Sequence, residues 1–277
     1  MTDPRPLTAG VMGWPITHSK SPLIFAHWFG LAGLNGRYCH LAVSEDDFEA
    51  VATTLPKAGF RGVNVTVPHK IRALEIADTA RPTARAMGAA NLLIFTGEGE
   101  IIADNTDGYG FIENLKSGAP NWQPNTAPAV VLGAGGASRA VVHALLSEGV
   151  PSIRLLNRSK RKAEALAKDL VGKIDVIAWD DRAAALDGAG LLVNGTSLGM
   201  TGKPELTIPL DDLPATAVVT DLVYAPLETD LLARARTAGH PVVDGLGMLL
   251  HQARPAFRAW FGIDPVVDQT LREICLK

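Results

Sequence analysis

Polar side chains that could hold and protonate a small molecule are grouped in two stretches of the N-terminal half. Ser19 and Ser21 lie between a predicted strand and a predicted helix. Asn64 and Thr66 alternate along another predicted strand, so their side chains share one face, and Lys70 follows the proline that ends it. Hydroxyl, amide and ammonium groups gathered at strand ends suit a small polyhydroxylated or carboxylated ligand. Taken singly, each has an ordinary structural explanation, such as a helix cap, a turn amide or a surface lysine.

A glycine-rich turn indicates a second kind of chemistry, the binding of a dinucleotide. An apolar strand over residues 129–132 precedes the turn, and a helical run follows from Arg139. Glycines allow a tight turn and a close approach of a pyrophosphate, which the N–H groups at the helix start can bind. Ser138 stands where a third glycine is usual, and a residue this small still allows close contact between helix and strand. The spacing GxGxxS, in this strand–turn–helix context, favours a dinucleotide over an ordinary turn; its residues are Gly133, Ala134, Gly135, Gly136, Ala137 and Ser138.

The end of the next predicted strand indicates which dinucleotide is bound. A carboxylate here would bind the ribose 2′-hydroxyl of NAD, but none is present. The residues are instead Asn157, Arg158, Ser159 and, three positions later, Lys162. Basic charge is unfavourable at a helix start, so a bound 2′-phosphate explains these residues better than a solvated helix start does. The sequence therefore predicts NADP.

The elements that must position these residues alternate along the whole chain. Short β-branched runs predict strands at residues 8–12, 38–43, 62–66, 90–95, 129–132, 153–156, 175–178, 190–193, 217–221 and 241–243. Helical stretches fall between them, for example at 46–55, 139–148, 160–169 and 229–238. This order predicts βαβ units with parallel sheets and helices on both faces. The proline-rich segment 117–128 predicts a linker or long loop, with a domain change at or just before it.

Composition excludes several classes of protein. The 277 residues include 26 basic and 29 acidic side chains, 47% are hydrophobic, and there is no basic run, so nucleic acid is not an expected partner. No apolar stretch reaches the roughly 18 residues of a membrane helix, and the start lacks a secretion signal. Cys39 and Cys275 alone make neither a disulfide framework nor a zinc site. We expect a soluble, cytoplasmic protein without a bound metal.

A set of motifs in this order closely resembles the shikimate dehydrogenase family over essentially the whole chain. The motifs are Ser19-Lys20-Ser21-Pro22, Asn64-Val65-Thr66-Val67-Pro68-His69-Lys70, Asn105-Thr106-Asp107-Gly108, the turn 133–138, Asn157-Arg158-Ser159, Asn194-Gly195-Thr196-Ser197, Asp221-Leu222-Val223-Tyr224-Ala225-Pro226 and the segment 245–253. The resemblance implies two α/β domains separated by a cleft. Residues 1–107 with 247–277 would form a mostly parallel substrate-binding domain, and residues 108–246 a Rossmann-type NADP domain.

The resemblance also implies roles for individual residues. Lys70 and Asp107 match the catalytic pair, in which the aspartate orients the ammonium group. Ser19 and Ser21 resemble the residues that hold the substrate carboxylate. Matches to ligands of the ring hydroxyls, and to a tyrosine near the substrate, are Asn64, Thr66, Asn91, Asp107, Gln252 and Tyr224. On the cofactor side the matching positions outside the turn are Asn157, Arg158, Ser159, Lys162, Thr196, Leu222, Gly245 and Met248, the last of these beside the nicotinamide.

A few residues depart from the family pattern. Phe25 and Ala26 stand where His and Asn are often found, and Leu92 where Thr is frequent. Lys162 replaces a frequent second arginine, which keeps the charge but loses the planar fork. The preference for NADP could therefore be less strict.

The implied reaction is the reversible, NADPH-dependent reduction of 3-dehydroshikimate to shikimate in chorismate biosynthesis, with no nucleic acid or membrane involved. Two alternatives stay open. One is a quinate/shikimate dehydrogenase of broader specificity, and the other a catalytically silent NADP-binding protein, which would have no reason to keep Lys70 and Asp107. The sequence does not decide between a monomer and a homodimer.

Overall fold

A computed structural model describes residues 7–277 as two compact units of α/β type. Unit 1 contains the chain up to Thr106 together with Gln252–Lys277, and unit 2 is Asp107–His251. Within residues 7–277, none of the helices combines the length and the apolar character that a membrane span requires. The predicted α/β class is confirmed, because each unit carries its own six-stranded sheet.

The sheet of unit 1 is mixed and has the strand order β2-β1-β3-β5-β6-β4. Its strands are β1 (Leu7–Gly13), β2 (Gly36–Ala42), β3 (Phe60–Val65), β4 (Thr79–Ala80), β5 (Leu92–Phe95) and β6 (Ile101–Asp104). Strand β5 is antiparallel to both of its neighbours, and the other pairs are parallel. The helices are α1 (Ser21–Ala32), α2 (Phe48–Thr54), α3 (Lys70–Glu75), α4 (Pro82–Met87) and α10 (Gln269–Leu276), with the end of α9 (Leu246–Phe261).

Aromatic side chains fill one side of this sheet. Phe25 and Trp28 of α1 and Phe257 and Trp260 of α9 are all buried, with ring centroids 5.5 to 5.8 Å apart in the contacting pairs. A side chain at Gly62 of β3 would overlap the Trp260 indole, so glycine is required there. The other side of the sheet is mainly aliphatic, with buried Phe48 and Phe95 and partly buried Phe60 among its residues.

The sheet of unit 2 is entirely parallel, with the order β12-β11-β10-β7-β8-β9. Its strands are β7 (Ala129–Leu132), β8 (Ile153–Leu156), β9 (Ile174–Ile177), β10 (Leu191–Asn194), β11 (Val218–Asp221) and β12 (Val242–Val243). Its helices are α5 (Asp107–Gly118), α6 (Gly136–Ser147), α7 (Lys160–Asp169) and α8 (Asp230–Thr237), and α9 begins in it; two 3₁₀ turns are Trp179–Asp181 and Ala184–Leu186. The central strands β7 and β10 are buried throughout, which explains their continuous apolar runs.

The sequence missed two strands of unit 1. Strand β4 has only two residues, and β6 follows a Gly-Glu-Gly turn and ends in Asp104, so neither shows a clear apolar run. Strands β7 and β8 and helix α7 have the predicted bounds. The segment predicted as a linker is the loop between α5 and β7, and it lies within unit 2.

Asp268 caps α10, and its removal is expected to destabilise unit 1 in a pH-dependent way. Its Oδ1 atom accepts a hydrogen bond from the Leu271 N–H at 2.7 Å. This bond, with a smaller contribution from His27, holds the pKa of Asp268 below its ordinary value. The folded state thus favours the carboxylate, and the stabilisation is present above about pH 4 and lost as the pH falls through the lowered pKa.

We therefore expect Asp268→Ala to reduce the free energy of unfolding by about 1 kcal/mol at pH 7, and by progressively less below pH 4. Urea denaturation followed over this pH range measures the difference. Glu273→Ala, an exposed carboxylate on the same helix, is the control. A loss that stays constant with pH would show that the charged cap is not its cause.

Candidate active site

The two serines of the first motif lie side by side at the start of α1. The Ser21 N–H donates to Ser19 Oγ at 3.3 Å, and the two hydroxyl oxygens are 3.2 Å apart. Lys20 lies between the two serines in the sequence. Its ammonium group donates to the Cys275 carbonyl at 2.5 Å and so fixes this loop to the last turn of α10. Ser21 is buried and Ser19 is partly exposed. The structure thus brings together two hydroxyl groups that could bind one carboxylate.

Asn64 lies near the end of β3 and is held by a side chain of β2 and by the residue that precedes β5. The Tyr38 hydroxyl of β2 donates to Asn64 Oδ1 at 2.8 Å, and Asn64 Nδ2 donates to the Asn91 carbonyl at 3.3 Å. Thr66 follows directly after the strand, and its N–H donates to the Met12 carbonyl at 2.9 Å. Asn64 is buried while Thr66 is partly exposed. Tyr38 was not among the residues predicted from the sequence.

Asn91, Thr106 and Gln252 form a second polar group in unit 1. Asn91 Oδ1 accepts from the Thr106 N–H at 2.8 Å, and Asn91 Nδ2 donates to Thr106 Oγ1 at 3.1 Å and to Gln252 Oε1 at 3.4 Å. The Thr106 hydroxyl donates to the Gln252 carbonyl at 2.9 Å. The two bonds to Gln252 join residues more than 140 positions apart. The network holds together Asn91 and Gln252, two of the residues predicted to bind ring hydroxyls of the substrate. Thr106 belongs to a quoted motif, but the sequence assigned it no role.

Lys70 is the first residue of α3, and its backbone is fixed on both sides. The preceding His69 is buried, stacks on Phe48 with ring centroids 4.5 Å apart, and lies with Nε2 2.8 Å from the Val43 carbonyl. The Lys70 carbonyl accepts from the Ala90 N–H at 2.8 Å, next to Asn91. The Lys70 side chain is partly exposed. The backbone of Lys70 is thus fixed beside Ala90, the residue that precedes the buried Asn91.

The glycine-rich turn of unit 2 fits a pyrophosphate. Gly133 has a φ of 104°, and a Cβ atom there would lie 2.8 Å from the Gly195 carbonyl oxygen. A Cβ at Gly135 or Gly136 would meet nothing within 4 Å, so space lies open before this backbone. Gly135 is the N-cap residue of α6 and provides no side-chain cap, which leaves the first N–H groups of the helix to a ligand. Ala134 is partly exposed and Ala137 exposed.

Ser138, the third residue of the GxGxxS pattern, has a different position from the rest of the turn. It is fully buried, and its hydroxyl donates to the Gly195 carbonyl at 3.1 Å. A Cβ at Gly195 would overlap this hydroxyl. Ser138 therefore holds α6 close to the loop after β10.

The start of α7 carries positive charge and has no acidic residue in its first turn. Asn157 Nδ2 donates to the Ser159 carbonyl at 2.8 Å, which shapes the turn between β8 and α7. Arg158, Ser159 and Lys162 are exposed, and the first turn of α7 has no acidic residue. Positive charges at a helix N-terminus repel its dipole, and a phosphate dianion would relieve this. The donor set fits the 2′-phosphate of NADP.

The loops after β10 and β11 are fixed by a buried carboxylate, Asp221. It accepts hydrogen bonds from Asn194 Nδ2 at 2.9 Å, the Val223 N–H at 2.9 Å and the Thr229 hydroxyl at 2.7 Å. Burial raises the pKa of Asp221 although these bonds act against it. Asn194 Oδ1 in turn accepts from the Thr196 hydroxyl at 2.7 Å. Two predicted cofactor residues, Thr196 and Leu222, thus lie at the carboxyl ends of parallel strands, where this fold class binds dinucleotides.

The remaining predicted positions lie at helix starts of unit 2 or in its loops. Asp107 begins α5 and Gly245 precedes α9, on which Met248 lies. A side chain at Gly245 would overlap the Leu222 carbonyl, which explains the glycine. Asp107 and Met248 are partly exposed, and Tyr224 is 36% exposed. Over residues 7–277, no three His, Cys, Asp or Glu side chains are grouped as metal ligands.

A parallel sheet whose central strand β7 leads into a glycine-rich turn and a helix start is the arrangement typical of dinucleotide-dependent oxidoreductases. Three family models match: the shikimate dehydrogenase substrate binding domain over residues 11–93, shikimate / quinate 5-dehydrogenase over 117–200, and the shikimate 5'-dehydrogenase C-terminal domain over 245–274. The chain belongs to the shikimate dehydrogenase family.

Curated relatives and solved structures agree with this assignment. The shikimate dehydrogenase (NADP(+)) of Paramagnetospirillum magneticum is 53% identical, covering 97% of this chain and 98% of the relative. That of Dinoroseobacter shibae is 52% identical, covering 100% and 99%. Shikimate 5-dehydrogenase of Thermus thermophilus, solved with NADP(H) and shikimate, is 35% identical with a TM-score of 0.85, covering 97% and 98%. Quinate dehydrogenase of Corynebacterium glutamicum, solved with NAD, is 28% identical with a TM-score of 0.91, covering 98% and 99%.

Proposed function

We propose that this chain catalyses the reversible NADP-dependent oxidation of shikimate to 3-dehydroshikimate, a step of chorismate biosynthesis. The observation that carries the proposal is the identity of 53% over 97% of the chain with a relative named for this activity. The polar groups of unit 1 support it, because they provide hydroxyl and amide partners for a hydroxylated carboxylic acid.

Unit 1 supplies the substrate contacts in this proposal. Ser19 and Ser21 bind the carboxylate, and Tyr224 of unit 2 is a further substrate-binding residue. The ring hydroxyls are bound by Asn64, Thr66, Asn91, Asp107 and Gln252. The domain assignment follows: residues 1–107 with 247–277 bind substrate, and residues 108–246 bind NADP.

Proton transfer is the chemical task of Lys70. In reduction, negative charge develops on the carbonyl oxygen, and the ammonium group of Lys70 donates first a hydrogen bond and then a proton to it. In oxidation, the neutral amine accepts the proton of the substrate hydroxyl. Asp107 is the second catalytic residue and binds a neighbouring hydroxyl. The rigid backbone at Lys70, held by His69 and Ala90, positions the amine for this step.

Unit 2 binds the cofactor in this proposal. The N–H groups at Gly133–Ser138 hold the pyrophosphate, and Asn157, Arg158, Ser159 and Lys162 hold the 2′-phosphate. Thr196, Leu222, Gly245 and Met248 line the remainder of the cofactor site. The bound nicotinamide supplies or accepts the hydride. We also propose that the protein lies in the cytoplasm, which cell fractionation tests. We propose that it is a monomer or a homodimer, which light scattering tests.

Purified protein incubated with shikimate and NADP tests this function. We expect NADPH and 3-dehydroshikimate to form in equal amounts, the latter identified by NMR. NADP without shikimate is the control. Binding of NADP without any turnover would show a catalytically silent NADP-binding protein instead.

Quinate oxidation is the second candidate, because the quinate dehydrogenase structure superimposes with a TM-score of 0.91. That protein was solved with NAD, whereas the basic residues at the start of α7 in this chain favour a 2′-phosphate. The serine pair 19 and 21, with no threonine in either place, also favours shikimate.

A further inference from the structure

A tyrosine that the sequence did not single out contacts a residue of the proposed substrate site. Tyr38 lies on β2, and its ring stacks on Phe25 with centroids 3.9 Å apart and planes 17° apart. The Trp260 ring lies near it, with a centroid distance of 6.4 Å. The stacked ring of Phe25 fixes the plane of the tyrosine ring without competing for its hydroxyl group.

The hydroxyl group of Tyr38 is bonded to a residue proposed to bind a ring hydroxyl of the substrate. It donates to Asn64 Oδ1 at 2.8 Å. Burial raises the pKa of Tyr38 well above its ordinary value, and the polar Ser21 side chain offsets this only in part. The hydroxyl therefore stays protonated at neutral pH and keeps its role as a donor.

This bond determines which way the Asn64 amide points. An amide group has an oxygen that accepts and a nitrogen that donates, and a donor beside one end selects the oxygen for that end. With Oδ1 bound to Tyr38, Nδ2 lies on the side of the Asn91 carbonyl, 3.3 Å away. Nδ2 carries two hydrogens, so one remains for a ligand. Asn64 is thus presented to the substrate as a hydrogen-bond donor.

We propose that Tyr38 is a positioning residue for shikimate binding, which orients the Asn64 amide. The proposal rests on the function proposed above. Tyr38 acts through Asn64 and does not take part in proton transfer. Its loss should therefore weaken the binding of shikimate, leave the turnover of bound substrate nearly unchanged and leave NADP binding unaffected.

Tyr38→Phe tests this, because it keeps the stacked ring and removes only the hydroxyl. We expect KM for shikimate to rise about tenfold, with kcat and KM for NADP within twofold of the wild type. Cys39→Ala is the matched control: it changes the next residue of β2, whose side chain points to the other face of the sheet. An unchanged KM for shikimate in Tyr38→Phe would overturn the proposal.

A double-mutant cycle separates positioning from general damage to the fold. In an Asn64→Ala background the amide is gone, so adding Tyr38→Phe should change KM for shikimate less than twofold. Additive effects of the two substitutions would overturn the positioning role. The wild type is measured in the same assay. If the wild type oxidises shikimate, additive effects overturn only the role of Tyr38. If the wild type is inactive on shikimate, the proposed function and the role of Tyr38 are both overturned.

Discussion

Replacing Lys70 with alanine is expected to lower kcat for shikimate oxidation about a thousandfold, with KM for shikimate changed less than about threefold. Positioned general acid–base groups contribute roughly 10²–10⁴ in rate, and this variant removes the group that moves the proton. Binding is kept because the hydroxyl and amide contacts come from other residues. Steady-state kinetics with saturating NADP measures both constants.

The structure makes this substitution a clean test. The Lys70 backbone is held by the Ala90 N–H and follows the buried His69, and neither contact needs the lysine side chain. Lys57→Ala, at an exposed lysine of the same unit, is the matched control and should behave as the wild type. Losses of equal size in kcat and in the affinity for shikimate would make Lys70 a binding residue rather than a proton donor.

The pH profile gives the same prediction a second readout. In oxidation, the lysine must lose its own proton before it can take the proton of the substrate, so the wild-type rate should rise with pH through the alkaline range. The residual oxidation rate of Lys70→Ala should no longer rise with pH in this way, because the amine is absent. A wild-type rate that is flat across the alkaline range would exclude the lysine as the base.

Replacing Arg158 with alanine is expected to raise KM for NADP about thirtyfold and to leave KM for NAD within about twofold. Hydrogen bonds to charged groups contribute roughly 1.5–3 kcal/mol, which corresponds to a factor of about 10–100. Only NADP carries the 2′-phosphate, so only its binding loses the guanidinium. Kinetics with each cofactor at saturating shikimate measures the change.

Two observations would separate this effect from a general loss of positive charge. Lys168→Ala removes a charge from the last turn of the same helix α7 and should leave both KM values unchanged. Added salt should weaken NADP binding to the wild type more than to Arg158→Ala, because it screens the missing interaction. Equal losses for NADP and NAD would show that Arg158 does not contact the 2′-phosphate.

The cofactor turn was the part of the site that could be predicted best from sequence. Strand β7, the turn from Gly133 and helix α6 are contiguous, so their geometry follows from local residue types. The prediction placed the start of α6 at Arg139, whereas the helix begins at Gly136. Glycine lowers helix propensity, which concealed the first turn. The start of α7 at Lys160 was likewise readable from local sequence.

Contacts between distant parts of the chain could not be predicted. Nothing in the local sequence of Tyr38 shows that its hydroxyl donates to Asn64, 26 residues later, and Thr106 meets Gln252 across 146 positions. The bond from Lys20 to the Cys275 carbonyl spans 255 positions. Such pairs depend on strand order and on the placement of α9 and α10, which residue types alone do not specify.

The most direct test of the central claim is the kcat/KM of the purified protein for shikimate and quinate, each with NADP and with NAD. We expect the pair of shikimate and NADP to exceed each of the other three by at least about tenfold. Comparable or higher values for quinate or for NAD would contradict the claim and place the chain among quinate/shikimate dehydrogenases of broader specificity.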